Sequence, residues 1–116
     1  MTKSERVVAK AREYVEARRY FHEVARYQES LKQTVETRKL QAKSEEARNK
    51  IEVEHLDDIN RSNYEVLERI TSPILALNDL VEADDKPVYF EHEGRELMVI
   101  PREVRGAFGS GVRGQG

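Results

Sequence analysis

Apolar residues recur at helical spacing through the first part of the chain. Side chains seven residues apart form one row: Val7, Tyr14, Phe21, Gln28 and Val35. A second row, three residues further on, contains Ala17, Val24 and Leu31. This spacing places side chains on one face of a helix and has some coiled-coil character. It predicts a long helix and a homo-oligomer interface formed by Val7, Tyr14, Phe21, Val24 and Leu31.

The apolar pattern fades between residues 38 and 50 and then returns. Polar residues occupy positions where a helix seam needs apolar ones: Arg38, Glu45, Asn49 and Glu52. Apolar residues resume with Leu56, Ile59, Tyr64, Val66, Leu67 and Ile70. Ser44 is a suitable N-cap, and Glu45 and Glu46 suit the first turn of a second helix. The sequence favours a helical hairpin that turns near Ser44, and the alternative is one unbroken helix about 100 Å long.

The charge distribution supports the hairpin. Residues 1–43 carry 11 basic and 6 acidic side chains, whereas residues 44–85 carry 4 basic and 12 acidic ones. A basic segment followed by an acidic one favours antiparallel packing of the two, although each exposed ion pair contributes only about 0–1 kcal/mol.

Proline and glycine divide the rest of the chain. Ser72 and Pro73 have the residue types of an N-cap and a first helical position, so we predict a short third helix from Pro73 to about Val81. Residues 88–92 and 95–100 flank Glu93-Gly94 and predict a β-hairpin that Pro101 terminates. A lone hairpin is marginally stable, so it must pack on the helices or pair with a second copy.

These predicted elements divide the chain into three segments of one structural unit. They are a helical, coiled-coil-like region over 1–83, a β-hairpin over 84–105 and a glycine- and arginine-rich tail over 106–116. Five of the six glycines lie in that last segment, which predicts a flexible tail. The expected fold class is therefore mainly α, with a C-terminal β-hairpin.

Composition excludes several classes of protein. Charged residues make up 36% of the chain and apolar ones 38%, with no Trp, which suits narrow helix seams rather than a thick core. There is no Cys, so disulfides and thiolate chemistry are excluded. A pI near 6.0 argues against nucleic acid as a partner. Without an apolar leader or a membrane-length apolar run, the expected location is the cytoplasm.

No residue pattern indicates catalysis, a cofactor or a metal. His22-Glu23 with Arg26 resembles a zinc-protease motif but lacks the second histidine. His55 lies among acidic residues of a helix surface, and His92 lies beside the hairpin turn, where a turn or surface role is expected. The sequence therefore predicts a protein that is not an enzyme.

A C-terminal group of arginines and aromatics is the best candidate for ligand binding. Arginine binds phosphate through a planar fork of donors, glycine lets the backbone approach an anion, and an aromatic ring can stack on a base. The candidate residues are Tyr89, Phe90, Arg102, Arg105 and Arg113. The alternatives are a solvated tail with core aromatics, or a tail that docks into a partner.

In its order of elements, with Phe90 in the hairpin and Arg105 and Arg113 after it, the chain resembles the phage-encoded Thoeris anti-defence sponges. The resemblance implies an oligomer that sequesters a cyclic ADP-ribose signal between subunits without cleaving it, in the host cytoplasm. Two functions follow as hypotheses. One is a homo-oligomer that binds a nucleotide-like molecule, and the other is a structural or adaptor coiled coil that recognises another protein by helix packing.

Overall fold

The computed structural model describes residues 1–106 and 110–115. Its elements are, in order, α1 (Lys3–Gln41), α2 (Glu45–Leu80), β1 (Val88–His92), β2 (Arg95–Val99), α3 (Pro101–Arg105) and β3 (Val112–Gly114). The predicted mainly helical fold, with a helical hairpin, a short third helix and a C-terminal β-hairpin, is confirmed. None of the helices in the described ranges is both long and apolar enough to cross a membrane.

Both long helices begin at a side-chain cap. Thr2 Oγ1 accepts a hydrogen bond from the Glu5 backbone N–H at 3.1 Å, and the Glu5 carboxylate accepts one from the Thr2 backbone N–H at 3.4 Å, which forms a capping box. Ser44 Oγ accepts a hydrogen bond from the Ala47 backbone N–H at 3.1 Å. The predicted turn near Ser44 is confirmed, and the alternative of one unbroken helix is wrong.

The third helix does not lie where the sequence placed it. Pro73 is inside α2, which continues to Leu80, so Ser72 does not act as a cap. A proline in a helix interior costs about 3 kcal/mol, because a backbone hydrogen bond is lost. Leu77 and Val81 are fully buried beyond it, and we attribute the continuation of the helix to this burial. The short helix is instead α3, with Pro101 at its start.

The two predicted strands form an antiparallel hairpin. Val88 pairs with Val99 and His92 with Arg95, so only Glu93 and Gly94 connect the strands. Both turn residues have positive φ, 51° for Glu93 and 76° for Gly94, as a type I′ turn requires.

Part of the predicted tail is a strand rather than a flexible segment. Residues 112–114 form β3, which pairs antiparallel with β2 and makes a three-stranded sheet in the order β1-β2-β3. The pairing gives hydrogen-bond partners to the otherwise open edge of β2, because Ile100 N–H donates to Gly111 O at 2.7 Å and Gln115 N–H to Glu96 O at 3.2 Å. The remaining tail residues, 107–109 and 116, lie outside the described residues.

The chain groups into two compact units, Met1–Ala17 with Arg69–Gly116, and Arg18–Glu68. The first unit holds a core to which the start of α1, the end of α2, the sheet and α3 all contribute. The members of this core are Val7, Ala11, Leu77, Val81, Phe90, Leu97, Val99, Val104 and Val112. Because the core consists mainly of small branched residues, each element can approach the others closely.

The second unit is the antiparallel helical hairpin itself. Val24, Val35 and Val66 are its buried residues, and polar contacts flank them. Tyr20 Oη donates to Glu65 at 3.1 Å and Gln28 Nε2 to Asn63 at 2.9 Å. Near the turn, the Lys39 ammonium donates to the Glu52 carboxylate, which raises the pKa of Lys39 and lowers the pKa of Glu52. Basic α1 therefore pairs with acidic α2, as the charge distribution predicts.

Gly111 is the glycine with the strictest steric requirement, and Gly111→Ala is expected to lower the free energy of unfolding by about 2–4 kcal/mol. Its φ is +77°, and an added Cβ would lie 2.3 Å from Val104 Cγ2 and 2.7 Å from Val104 N. Urea denaturation followed by circular dichroism measures the loss.

Two matched variants separate the causes. Gly94 has φ +76° but open space around it, so Gly94→Ala should cost about 1 kcal/mol through backbone strain alone. Gly114 has neither constraint, so Gly114→Ala should be close to neutral. Equal losses for Gly111→Ala and Gly94→Ala would contradict the close packing of Gly111 on α3.

Candidate functional site

The predicted aromatic residues of the ligand site lie in different environments. Phe90 faces the core, where it is 8% exposed, so it offers no ring to a ligand; this part of the prediction is corrected. Its position follows from strand alternation, because Phe90 pairs with Leu97 on the inner face of the sheet. Tyr89 points to the other face and is 60% exposed, so it is the aromatic residue available for stacking.

Two of the three predicted arginines have partners within the chain. Arg105 donates to the backbone carbonyl of Asn78 at 2.8 Å, in the last turn of α2, which has no basic side chain of its own. A cation there neutralises the partial negative charge of the helix end. Arg113 forms an exposed ion pair with Glu103 at 3.0 Å, while Arg102 is exposed on α3.

A shallow cavity of about 390 Å³ lies beside Tyr89, between the start of α1 and β1. Its lining includes Val8, Arg12, Val88 and Tyr89. The Arg12 side chain is fixed there, since its Nη2 donates to Glu91 O at 2.9 Å and its guanidinium carbon lies 6.0 Å from the centroid of the Phe90 ring. Arg12 is therefore a basic residue of this cavity that the sequence argument missed, because nothing in its helical context distinguishes it.

The strand register brings together two of the predicted ligand residues. Tyr89 pairs with Met98, and Met98 pairs with Arg113, so the three side chains form one row on the outer face of the sheet. At about 4.8 Å between neighbouring strands, Tyr89 and Arg113 are about 10 Å apart. The sheet thus places an exposed ring and a cation on one surface, and Arg102 and Arg105 lie on α3 rather than in this row.

Polar contacts fix the hairpin to α1. Glu16 Oε1 and His92 Nε2 are 2.6 Å apart, and Lys3 Nζ lies 2.7 Å from the Asp85 carboxylate. The pKa of Asp85 is lowered by a hydrogen bond from the Glu82 backbone N–H and by the Lys3 ammonium. His92, predicted to have a turn or surface role, is therefore a link between the hairpin turn and α1.

One group in the described part of the chain has the donor set of a metal site. Ligand atoms of Glu16, His92 and Glu93 all lie within 4.8 Å of one another. Imidazole nitrogen and carboxylate oxygen are ligands that Zn²⁺ accepts. However, both carboxylates are exposed, and His92 Nε2 is engaged with Glu16. The short contact between Glu16 and His92 accounts for the cluster as a structural hydrogen bond of the first unit.

The stripe predicted to form an oligomer interface is used largely within the chain. Val7 belongs to the core of the first unit, and Tyr14 packs against it. In the helical hairpin Val24 is buried and Leu31 is half-buried, whereas Phe21 remains 47% exposed. Most of this apolar row therefore has its packing partner in the same molecule.

The sequence argument missed a second apolar row, which lies on the exposed side of α2. Its apolar members are exposed by 57–67% and are Val53, Leu56, Tyr64 and Leu67. At 100° per residue they fall, with Asn60, within an arc of about 80°. Ile51, Ile59 and Val66 lie on the side of the helix that faces α1 and are buried or half-buried. We call the exposed row the outer face of α2; it was missed because both rows were read as one apolar pattern.

Comparison with known proteins places the chain in no family. No family model matches it, and neither curated proteins nor solved structures include a significant match.

The contact between Glu16 and His92 gives a measurable prediction. Glu16→Ala should lower the free energy of unfolding by about 1 kcal/mol, since the half-buried His92 loses its partner. Glu13→Ala is the matched control, because Glu13 pairs only weakly with Lys10 on the exposed helix surface, and its loss should stay below about 0.5 kcal/mol. Thermal denaturation distinguishes the two, and equal effects would contradict a stabilising role for the pair.

Proposed function

We propose that the chain is a non-enzymatic structural or adaptor protein that recognises another polypeptide by helix packing. The observation that carries the proposal is the outer face of α2. Four large apolar side chains stand exposed there in a row, on the side of the helix that faces away from α1. Isolated apolar residues are common on protein surfaces, but a continuous row at helical spacing is typical of an interaction surface.

The number of exposed apolar side chains in the row suits a specific interaction of moderate affinity. Full burial of one large apolar side chain contributes about 1.5–3 kcal/mol. Four such side chains would offset much of the cost of association, which is at least about 4 kcal/mol. The polar residues between them, such as Asn60, keep the free surface compatible with water.

The first unit supports this role by holding the ends of the helices. Lys3 and Arg12 fix the start of α1 to the segment after α2 and to the sheet, and Arg105 caps the end of α2. A fixed helix loses less conformational entropy when it binds, so more of the apolar contact energy appears as affinity.

The double substitution Leu56→Glu and Leu67→Glu should abolish this recognition while leaving the fold intact, because both side chains are exposed. A tagged protein carrying both changes should lose the polypeptides that the parent retains from a cell lysate, as identified by mass spectrometry. Gln33→Glu, on the outward side of α1, is the control and should retain them. Recovery of the same polypeptides with all three proteins would contradict the proposal.

A second candidate function is the binding of a ring-bearing anion, such as the nucleotide signal implied by the resemblance to anti-defence sponges. The cavity beside Tyr89 favours it, since an exposed ring and the Arg12 guanidinium line the same space. Stacking on tyrosine and a charge-assisted hydrogen bond from arginine would hold such a ligand. Glu5 also lines the cavity, and its carboxylate would oppose an anion placed next to it.

Native mass spectrometry with a panel of cyclic and linear nucleotides tests this second candidate. The parent should gain the mass of a bound nucleotide, and Tyr89→Ala should reduce the bound fraction at least tenfold because the stacking surface is lost. Tyr27→Ala removes a similarly exposed ring from the helical hairpin and should have no effect. A parent protein that gains no mass excludes this candidate.

A further inference from the structure

The apolar positions on the outer face of α2 are arranged symmetrically about Asn60. Val53 and Leu67 lie seven residues on either side of Asn60, and Leu56 and Tyr64 lie four residues on either side. A pattern of this kind is required where a helix packs antiparallel on an identical helix, because each position then meets its mirror position across a twofold axis. A foreign partner would impose no such symmetry.

Two helices related in this way would place Val53 against Leu67 and Leu56 against Tyr64. Asn60 would lie at the axis, opposite Asn60 of the other copy. An asparagine pair in an otherwise apolar seam satisfies its own hydrogen bonds only when the two residues are opposite each other. A single buried Asn of this kind therefore fixes the register of packed helices.

The charges along one edge of the outer face have the same symmetry. This edge carries Lys50, Asp57, Arg61 and Glu68, all exposed, with alternating sign. With Asn60 at the axis, Lys50 of one helix lies about 3 Å along the helix axis from the position directly opposite Glu68 of the other, and the same offset separates Asp57 from Arg61, which these long side chains can bridge. Both pairs are centred on residue 59, which is about 1.5 Å along the helix from Asn60. The alignments favoured by apolar packing and by charge therefore differ by only about 3 Å along the helix.

We propose that the outer face of α2 binds the outer face of a second copy of the chain, antiparallel and with Asn60 at the twofold axis. The inference rests on the proposed function, and it names a second copy as the polypeptide that the outer face recognises. Three independent features agree on it: the apolar positions, the central asparagine and the alternating charges.

The absence of cysteine from the chain allows a direct test of the alignment. Asn60→Cys places two thiols opposite each other, so mild oxidation should convert most of the protein into a covalent dimer of twice the 13.5 kDa chain mass. Val53→Cys alone should not cross-link, because its two copies would lie about 21 Å apart along the helix. A mixture of Val53→Cys and Leu67→Cys should cross-link.

Charge variants test the same alignment without a covalent bond. Lys50→Glu with Arg61→Glu makes the edge entirely acidic, and Asp57→Lys with Glu68→Lys makes it entirely basic. Each double variant should sediment as a monomer at concentrations where the parent is a dimer. An equimolar mixture of the two should form a one-to-one heterodimer, which also shows that both variants are folded.

The outcomes separate this inference from the proposed function. A monomeric parent that still retains another protein through Leu56 and Leu67 would overturn the inference and leave the adaptor function standing. A dimer that is insensitive to the charge variants would place the contact on another surface, and one that cross-links through Val53→Cys alone would overturn the antiparallel alignment. A dimer that follows both sets of variants supports the inference.

Discussion

A helix in a two-helix hairpin can bury only the side that faces its partner helix, whereas the large apolar residues of α2 extend beyond that side. Ile59 and Val66 lie on the inner side, and Leu56 and Leu67 lie on the outer side. Folding of the single chain buries the inner row and leaves the outer row in contact with water. This constraint gives the molecule its main candidate for function, since an exposed apolar row of this kind is typical of an interaction surface.

The first unit contains the larger hydrophobic core, whereas the helical hairpin buries only a few valines. Its core joins four different parts of the chain through small residues, and it tolerates Pro73 within α2 because Leu77 and Val81 are buried beyond the kink-prone position. Polar contacts fix the orientation of the elements around this core. Arg12 and the pair formed by Glu16 and His92 hold the β-hairpin on α1, and Arg105 donates a hydrogen bond to a carbonyl in the last turn of α2. Basic residues that suggested a ligand site therefore also have structural roles.

The two candidate functions draw on different parts of the molecule. Ligand binding would use the cavity between α1 and β1, where Tyr89 and Arg12 are the suitable groups. Helix packing would use α2 between Val53 and Leu67. The second has the stronger physical basis, because exposed apolar area gives a driving force for association, whereas the shallow cavity is lined by the Glu5 carboxylate as well as by the Arg12 guanidinium.

By itself, the sequence determined the local structure. Helical periodicity, the cap at Ser44 and the Glu93-Gly94 turn act over a few residues, so together with the charge reversal they define the long helices, their turn and the β-hairpin. Contacts between distant residues decided the rest. Because Leu77 is buried, α2 continues through Pro73. Residues 112–114 form a strand because they pair with β2. Phe90 lies on the inner side of the sheet and is therefore not available to a ligand. Only the packed structure could divide the apolar residues of α2 into a buried row and an exposed one, because periodicity shows which residues share a face and not which face is covered.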